Sequence, residues 1–181
     1  LTGAAVIGFG FTYSYPPRFK ERGVWNHVVT TGVDAGLLVL PVAALTAGVV
    51  APTILVAVGV VTCYSFGYHV VHQAADVHFD RQAGIETFAT AIGVADSVGV
   101  AAVTTAAATG FSLALGYPIA AVALGAVTAF YVETYYSVQG VDSAAASRLL
   151  SDRFSIAWIA TVANGALAVA VWWRVLDAGT V

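Results

Sequence analysis

The chain alternates long uncharged stretches with short polar ones. A helix needs about 20 consecutive apolar residues to cross the hydrocarbon core of a bilayer. Runs of that length lie at roughly 27–48, 51–74, 93–115, 117–138 and 154–175. Residues 1–12 read as the end of a preceding helix. The pattern predicts an all-α polytopic transmembrane helical bundle, with five full spans plus that helix end. Pro52 and Pro118 fall at helix starts, where a missing N–H costs little. Pro41 falls inside a span and predicts a kink. Between the spans lie three polar segments, 13–26, 75–92 and 139–153, and two short uncharged connections near 49 and 116. Small residues are dense in the spans, as close helix packing in lipid requires.

Charge then sets the class and the sidedness. Only 9% of residues are charged and 59% are hydrophobic. Soluble domains carry about 25% charged residues, so this composition belongs in a membrane. With five spans, the three polar segments all fall on one side. They hold Arg18, Lys20, Arg22, Arg81, Arg148 and Arg153, every basic residue except Arg174. The positive-inside rule makes that side cytoplasmic, in an inner or plasma membrane. A net charge of −3 argues against a nucleic-acid partner, which needs a basic face. The single cysteine, Cys63, excludes an internal disulfide and a cysteine-rich zinc site, and reads as a small apolar core residue. The chain opens on Leu1 with no basic segment and does not read as a signal peptide. The expectation is a single domain over 1–181 that is the C-terminal part of a longer protein.

The scarce acids point to the chemistry. Asp76 and Asp80 stand at i and i+4 within Tyr68–Thr87, and that spacing shares one helix face. Paired there, they can hold a hard divalent cation through oxygen, and magnesium held this way commonly carries a phosphate as well. The segment Tyr13-Ser-Tyr-Pro-Pro-Arg-Phe-Lys-Glu-Arg22 lies on the same side and adds a basic cluster. A diphosphate needs that combination. The apolar tail of a prenyl diphosphate would lie among the helices. Ionisation leaves an allylic cation, which aromatic faces stabilise; Tyr64, Tyr68, Tyr131, Tyr135 and Tyr136 are candidates.

Other readings compete at each residue. Asp76 and Asp80 also suit plain loop charges. Arg81 suits either a diphosphate or charge topology alone. His69, His72 and His78 with Asp76 suggest a zinc or iron site, while His72 and Gln73 also suit packing near a cavity floor. Asp34 and Glu133 lie in apolar spans, where an ionisable group is a functional candidate by default and would favour a small transporter. Asn164 reads as a helix–helix hydrogen bond, and Trp158, Trp172 and Trp173 as interfacial or lipid contacts.

The segment Asp76-Val-His-Phe-Asp80-Arg-Gln-Ala-Gly84-Ile-Glu-Thr87, with Gly93 after a short apolar run, resembles the second aspartate motif of the UbiA-type intramembrane prenyltransferases. Tyr13 through Arg22 resembles that family's tyrosine and basic loop, and Asn26 and Gly32 also fit. The string Pro-Pro-Arg-Phe-Lys-Glu-Arg looks most like the carotenoid-modifying branch, the lycopene elongases. The chain can be laid on the C-terminal five and a half of the family's nine helices. The resemblance implies Mg2+-dependent transfer of a prenyl group from a prenyl diphosphate to an apolar or aromatic acceptor. It implies Asp76 and Asp80 as metal ligands, with Lys20 and Arg81 completing the catalytic set. Arg18, Lys20, Arg22, Tyr13, Asn26, Tyr68 and His72 are the implied substrate-binding residues. The family's first aspartate motif, roughly N-D-x-x-x-D, would precede Leu1. The implied partners are the bilayer, the diphosphate and a lipophilic acceptor. The alternative is a non-catalytic UbiA-like subunit of a larger membrane pigment–protein complex, with protein partners.

Overall fold

A computed structural model describes residues 2–16, 18–33, 52–153, 162–166, 169 and 173. Its helices are α1 (Thr2–Ser14), α2 (Val24–Gly32), α3 (Pro52–Gln82), α4 (Phe88–Ile92), α5 (Val94–Ala114), α6 (Pro118–Val138) and α7 (Ser143–Arg153), with one 3-10 turn at Phe19–Glu21. The described residues contain no strand. Three helices are long and apolar enough to cross a membrane: Ile54–Gln82, Val94–Ala114 and Pro118–Val138. They correspond to the spans expected at 51–74, 93–115 and 117–138. Most of the expected spans at 27–48 and 154–175 lies outside the described residues, as do Asp34, Pro41, Trp158, Trp172 and Arg174.

The first long span departs from expectation. The polar segment expected from residue 75 is helical through Gln82. The reason is packing on one side. Val70, Val71, Ala74, Ala75 and Val77 are buried, and they recur at helical spacing past the point where charges begin. The polar residues Asp76 and Asp80 sit on the remaining surface of the same helix. At 1.5 Å per residue α3 is about 46 Å long, more than a hydrocarbon core of about 30 Å, so its charged end projects from the bilayer.

Small residues set the interhelical spacing. α3 packs chiefly on α5, and α5 on α6. At Gly67 an added Cβ would lie 2.6 Å from Thr104 Oγ1 and 3.1 Å from the Ala101 carbonyl oxygen. The two backbones therefore approach as only glycine permits. Ala101, Ala102, Ala108, Ala120 and Ala121 continue the buried seams, with Val98 and Leu124. Cys63 packs against this core, as expected of a small apolar residue. Thr104, Thr109, Ser112, Thr128 and Thr134 donate their hydroxyls to carbonyls four residues back, which satisfies them without water. Pro118 opens α6 at its first turn. Glu133 is exposed on α6 and accepts a 2.9 Å hydrogen bond from the Ser137 hydroxyl. Asn164 and Trp173 are exposed.

Candidate functional site

The end of α3 is built by its glycine and threonine. Gly84 adopts φ +67°, and the chain around it closes two hydrogen bonds. Ile85 N–H donates to the Asp80 carbonyl at 2.9 Å, and Gly84 N–H to the Arg81 carbonyl at 3.3 Å. This is the Schellman stop, which favours glycine at the left-handed position. Three residues on, Thr87 opens α4 with a reciprocal cap. Its Oγ1 accepts from Thr90 N–H at 3.1 Å, and its own N–H donates to Thr90 Oγ1 at 2.7 Å. The spacing Asp80, Gly84, Thr87 is thus a helix stop followed by a helix start. Its effect is to hold Asp80 at the last turn of a rigid helix.

Asp76 and Asp80 lie one turn apart on the face of α3 that also carries His69, His72 and Gln73. Asp76 is exposed and Asp80 half-buried. One turn before Asp76 the face enters a cavity of about 460 Å3 between α1, α2 and α3. His69 and His72 line it from α3, Phe9, Gly10 and Tyr13 from α1, and Val29, Thr30 and Val33 from α2 and its end. Tyr13 and His72, both implicated by sequence, therefore meet across one cavity. Tyr68 adjoins it, with its ring edge-on to His69 at 5.6 Å and to His72 at 6.2 Å. Behind Tyr68, Tyr64 stacks at 6.3 Å, and the fully buried Tyr131 belongs to the same core as Tyr64. Tyr135 and Tyr136 are elsewhere, in a groove between α5 and α6.

The basic turn is brought to the same end of the molecule. A single parallel bridge joins Gly23 to Thr87, which sets the turn beside the loop that follows Asp80. Arg18 is exposed and holds Glu21 at 3.6 Å. Its φ of 53° is left-handed, a conformation costing a non-glycine residue about 1 kcal/mol or more. Such strain gathers at functional sites. Arg22 is exposed. Lys20 belongs to the 3-10 turn, and its side chain lies outside the described ones.

Two sequence candidates face elsewhere. Arg81 follows Asp80 directly, so it points about 100° away around the helix. Its guanidinium donates to the Thr90 carbonyl at 3.0 Å and lines a different cleft, with Asp96. His78 stands two residues from Asp76, on the opposite face. Its backbone N–H donates to Ser147 Oγ at 3.3 Å, and its ring pairs with Gln82 at 3.1 Å. His78 therefore cannot join His69, His72 and Asp76 around one ion. Among the described residues no group of three or more His, Cys, Asp or Glu side chains could hold a metal.

One buried pair was missed in the sequence. His27 is fully buried, its ring edge-on to Phe66 at 5.1 Å and to Phe88 at 5.4 Å. Its Nε2 donates to Gln73 Oε1 at 3.1 Å. This bond ties the start of α2, just after the basic turn, to the carboxylate face of α3. Among the described residues, His27 Nδ1 and Asn26 Oδ1 are buried without a partner. The rule that singled out Asp34 and Glu133, an ionisable group in an apolar segment, applied equally to His27.

Comparison with curated proteins and with solved structures gives no match. A family model does match, over residues 1–161, and it concerns the family as a whole without singling out a carotenoid branch. With that match and three bilayer-length apolar helices, the chain is an integral membrane protein that belongs to the UbiA prenyltransferase family.

Proposed function

We propose that the protein transfers a prenyl group from a prenyl diphosphate to a lipophilic acceptor within the membrane, with the diphosphate bound at the projecting end of α3. Membership of the UbiA family supports a prenyltransferase-type function. The observation that carries the finer reading is the meeting of two groups. The Asp76/Asp80 face continues directly into the cavity lined by Tyr13 and His72, and the basic turn is bridged to the loop after Asp80.

The donor set fits magnesium in one specific way. Two carboxylates one turn apart supply hard oxygen ligands, and the described residues add no third. Mg2+ is usually held by one or two carboxylates, with phosphate and water oxygens filling the octahedron. The pair would therefore hold Mg2+ together with a diphosphate. The metal would supply charge neutralisation of the leaving group. Arg18, Lys20 and Arg22, in the bridged turn, add cationic charge to the same end. His72, Tyr13 and Tyr68 shape the adjoining cavity, which takes the first isoprenoid units and offers aromatic faces to an allylic cation.

The test is binding of a prenyl diphosphate, such as geranylgeranyl diphosphate, to the purified chain with Mg2+ or with EDTA. Binding is expected only with Mg2+. Asp76→Ala is expected to weaken it by about tenfold to a hundredfold, the range for losing one charge-assisted interaction. Undiminished binding by that variant would sink the site assignment. No binding by the wild-type chain would favour the non-catalytic subunit.

A further inference from the structure

A second cleft lies on another flank of the bundle. Its polar end, about 260 Å3, is lined by Arg81, Gly93, Asp96, Gly140 and Ser143 among others. Asp96 is shared with a larger groove of about 610 Å3 between α5 and α6. That groove runs past Gly99 and is walled by Val103, Val132, Tyr135 and Tyr136. Val103 and Tyr136 are 71% and 69% exposed, yet both belong to spanning helices. At bilayer depth such exposed faces suit an apolar neighbour better than water. Gly99 leaves the groove open, since an added Cβ would come within 3.2 Å of the Tyr135 ring. From Asp96 to Thr104 the groove follows α5 for about 12 Å. The whole is one trough, charged at its polar end and apolar below.

The charges at its head are of opposite sign. Among the described residues no salt bridge joins Arg81 to Asp96. Both side chains are exposed. Arg81 uses one N–H on the Thr90 carbonyl, which leaves further donors on its guanidinium. A cation and an anion that line one cleft without pairing suit a ligand that carries both charges. A prenyl diphosphate carries only negative charge and would be repelled by Asp96. A neutral acceptor would leave both groups unmatched.

We propose that this trough binds a zwitterionic phospholipid with a primary ammonium headgroup. The phosphate sits on Arg81, the ammonium on Asp96, and one acyl chain lies between Val103 and Val132. The site is separate from the Asp76/Asp80 face, and its occupancy can be read without any transfer activity.

The experiment is native mass spectrometry of the full chain, purified in detergent and offered equal amounts of phosphatidylethanolamine, phosphatidylcholine and phosphatidylglycerol with identical acyl chains. The wild-type chain is expected to retain phosphatidylethanolamine over phosphatidylglycerol by about fivefold, the upper range for an exposed ion pair. Asp96→Asn is expected to bring that ratio below about twofold. The Asp96 carboxylate also meets the N-terminal dipole of α5, so the readout is headgroup selectivity rather than stability. Val103→Trp, a bulky change at an exposed position, is expected to lower retention of all three lipids. An unchanged headgroup ratio in Asp96→Asn, or unchanged retention in Val103→Trp, overturns the proposal and leaves unselective boundary lipid.

Discussion

Two glycines in the middle of spanning helices should answer the same substitution differently, one with a clear loss of stability and the other without. At Gly67 an alanine Cβ would meet Thr104 Oγ1 at 2.6 Å, and the Ala101 carbonyl and Thr105 Oγ1 at 3.1 Å each. Overpacking of this kind costs about 1–3 kcal/mol. Thr104 can rotate away only by giving up its bonds to the Val100 and Ala101 carbonyls, at 3.0 and 3.2 Å, a further loss of about 1 kcal/mol. Against this stands the gain of about 1 kcal/mol from replacing glycine within a helix. The net expectation for Gly67→Ala is a loss of about 2 kcal/mol. At Gly125 the nearest atom to an added Cβ is Thr109 Cγ2 at 3.8 Å, an ordinary contact. Gly125→Ala should therefore be neutral or stabilising by up to about 1 kcal/mol. The assay is reversible unfolding from detergent micelles by added SDS, followed by circular dichroism. Adding Thr104→Ala to Gly67→Ala removes the 2.6 Å contact but keeps the one to backbone, so it should recover part of the loss. Gly67→Ala as stable as Gly125→Ala would refute the close approach of α3 and α5.

Thr87→Ala removes the acceptor for Thr90 N–H and should cost about 1 kcal/mol, while Thr87→Ser should keep most of it. Because α4 is only five residues long, the loss should appear first as faster amide exchange over Phe88–Ile92. Asp142 caps α7, its Oδ1 accepting from Ala144 and Ala145 N–H at 3.0 Å. The hydrogen bond from Ala145, the larger cause, with that from Ala144, holds its carboxyl below the ordinary value of 3.8. A depressed folded value means that the cap contributes fully above 3.8 and is lost as pH falls through the lower folded value. Asp142→Ala should thus be less stable than wild type at neutral pH and should converge with it in strong acid; a gap that persists in acid would refute the cap. Titration with Mg2+ alone should show no saturable binding, and Mg2+ with a prenyl diphosphate should; tight binding of the bare ion would reveal ligands beyond Asp76 and Asp80.

Much of the fold was legible because bilayer solvent acts locally. An uncharged run of about 20 residues has few alternatives to a spanning helix, and three of the expected spans stand where the apolar runs are. The shared face of Asp76 and Asp80 followed from helix geometry alone. The chain could not show locally that α3 persists through Gln82. That depends on Val70, Ala74 and Val77 finding a packed surface to bury against. Nor could it show that Arg81 turns away toward Thr90, since a helix assigns its neighbours to different faces but does not say what each face meets. The links that assemble the site join residues far apart in sequence: His27 with Gln73, 46 positions on, and Gly23 with Thr87. Local pattern determined which segments are helices and which side chains share a face. Only docking of α2 and α3, where buried polar groups must find partners and small residues decide how closely backbones approach, determined that the basic turn, the histidine-lined cavity and the carboxylate pair stand at one end of the bundle.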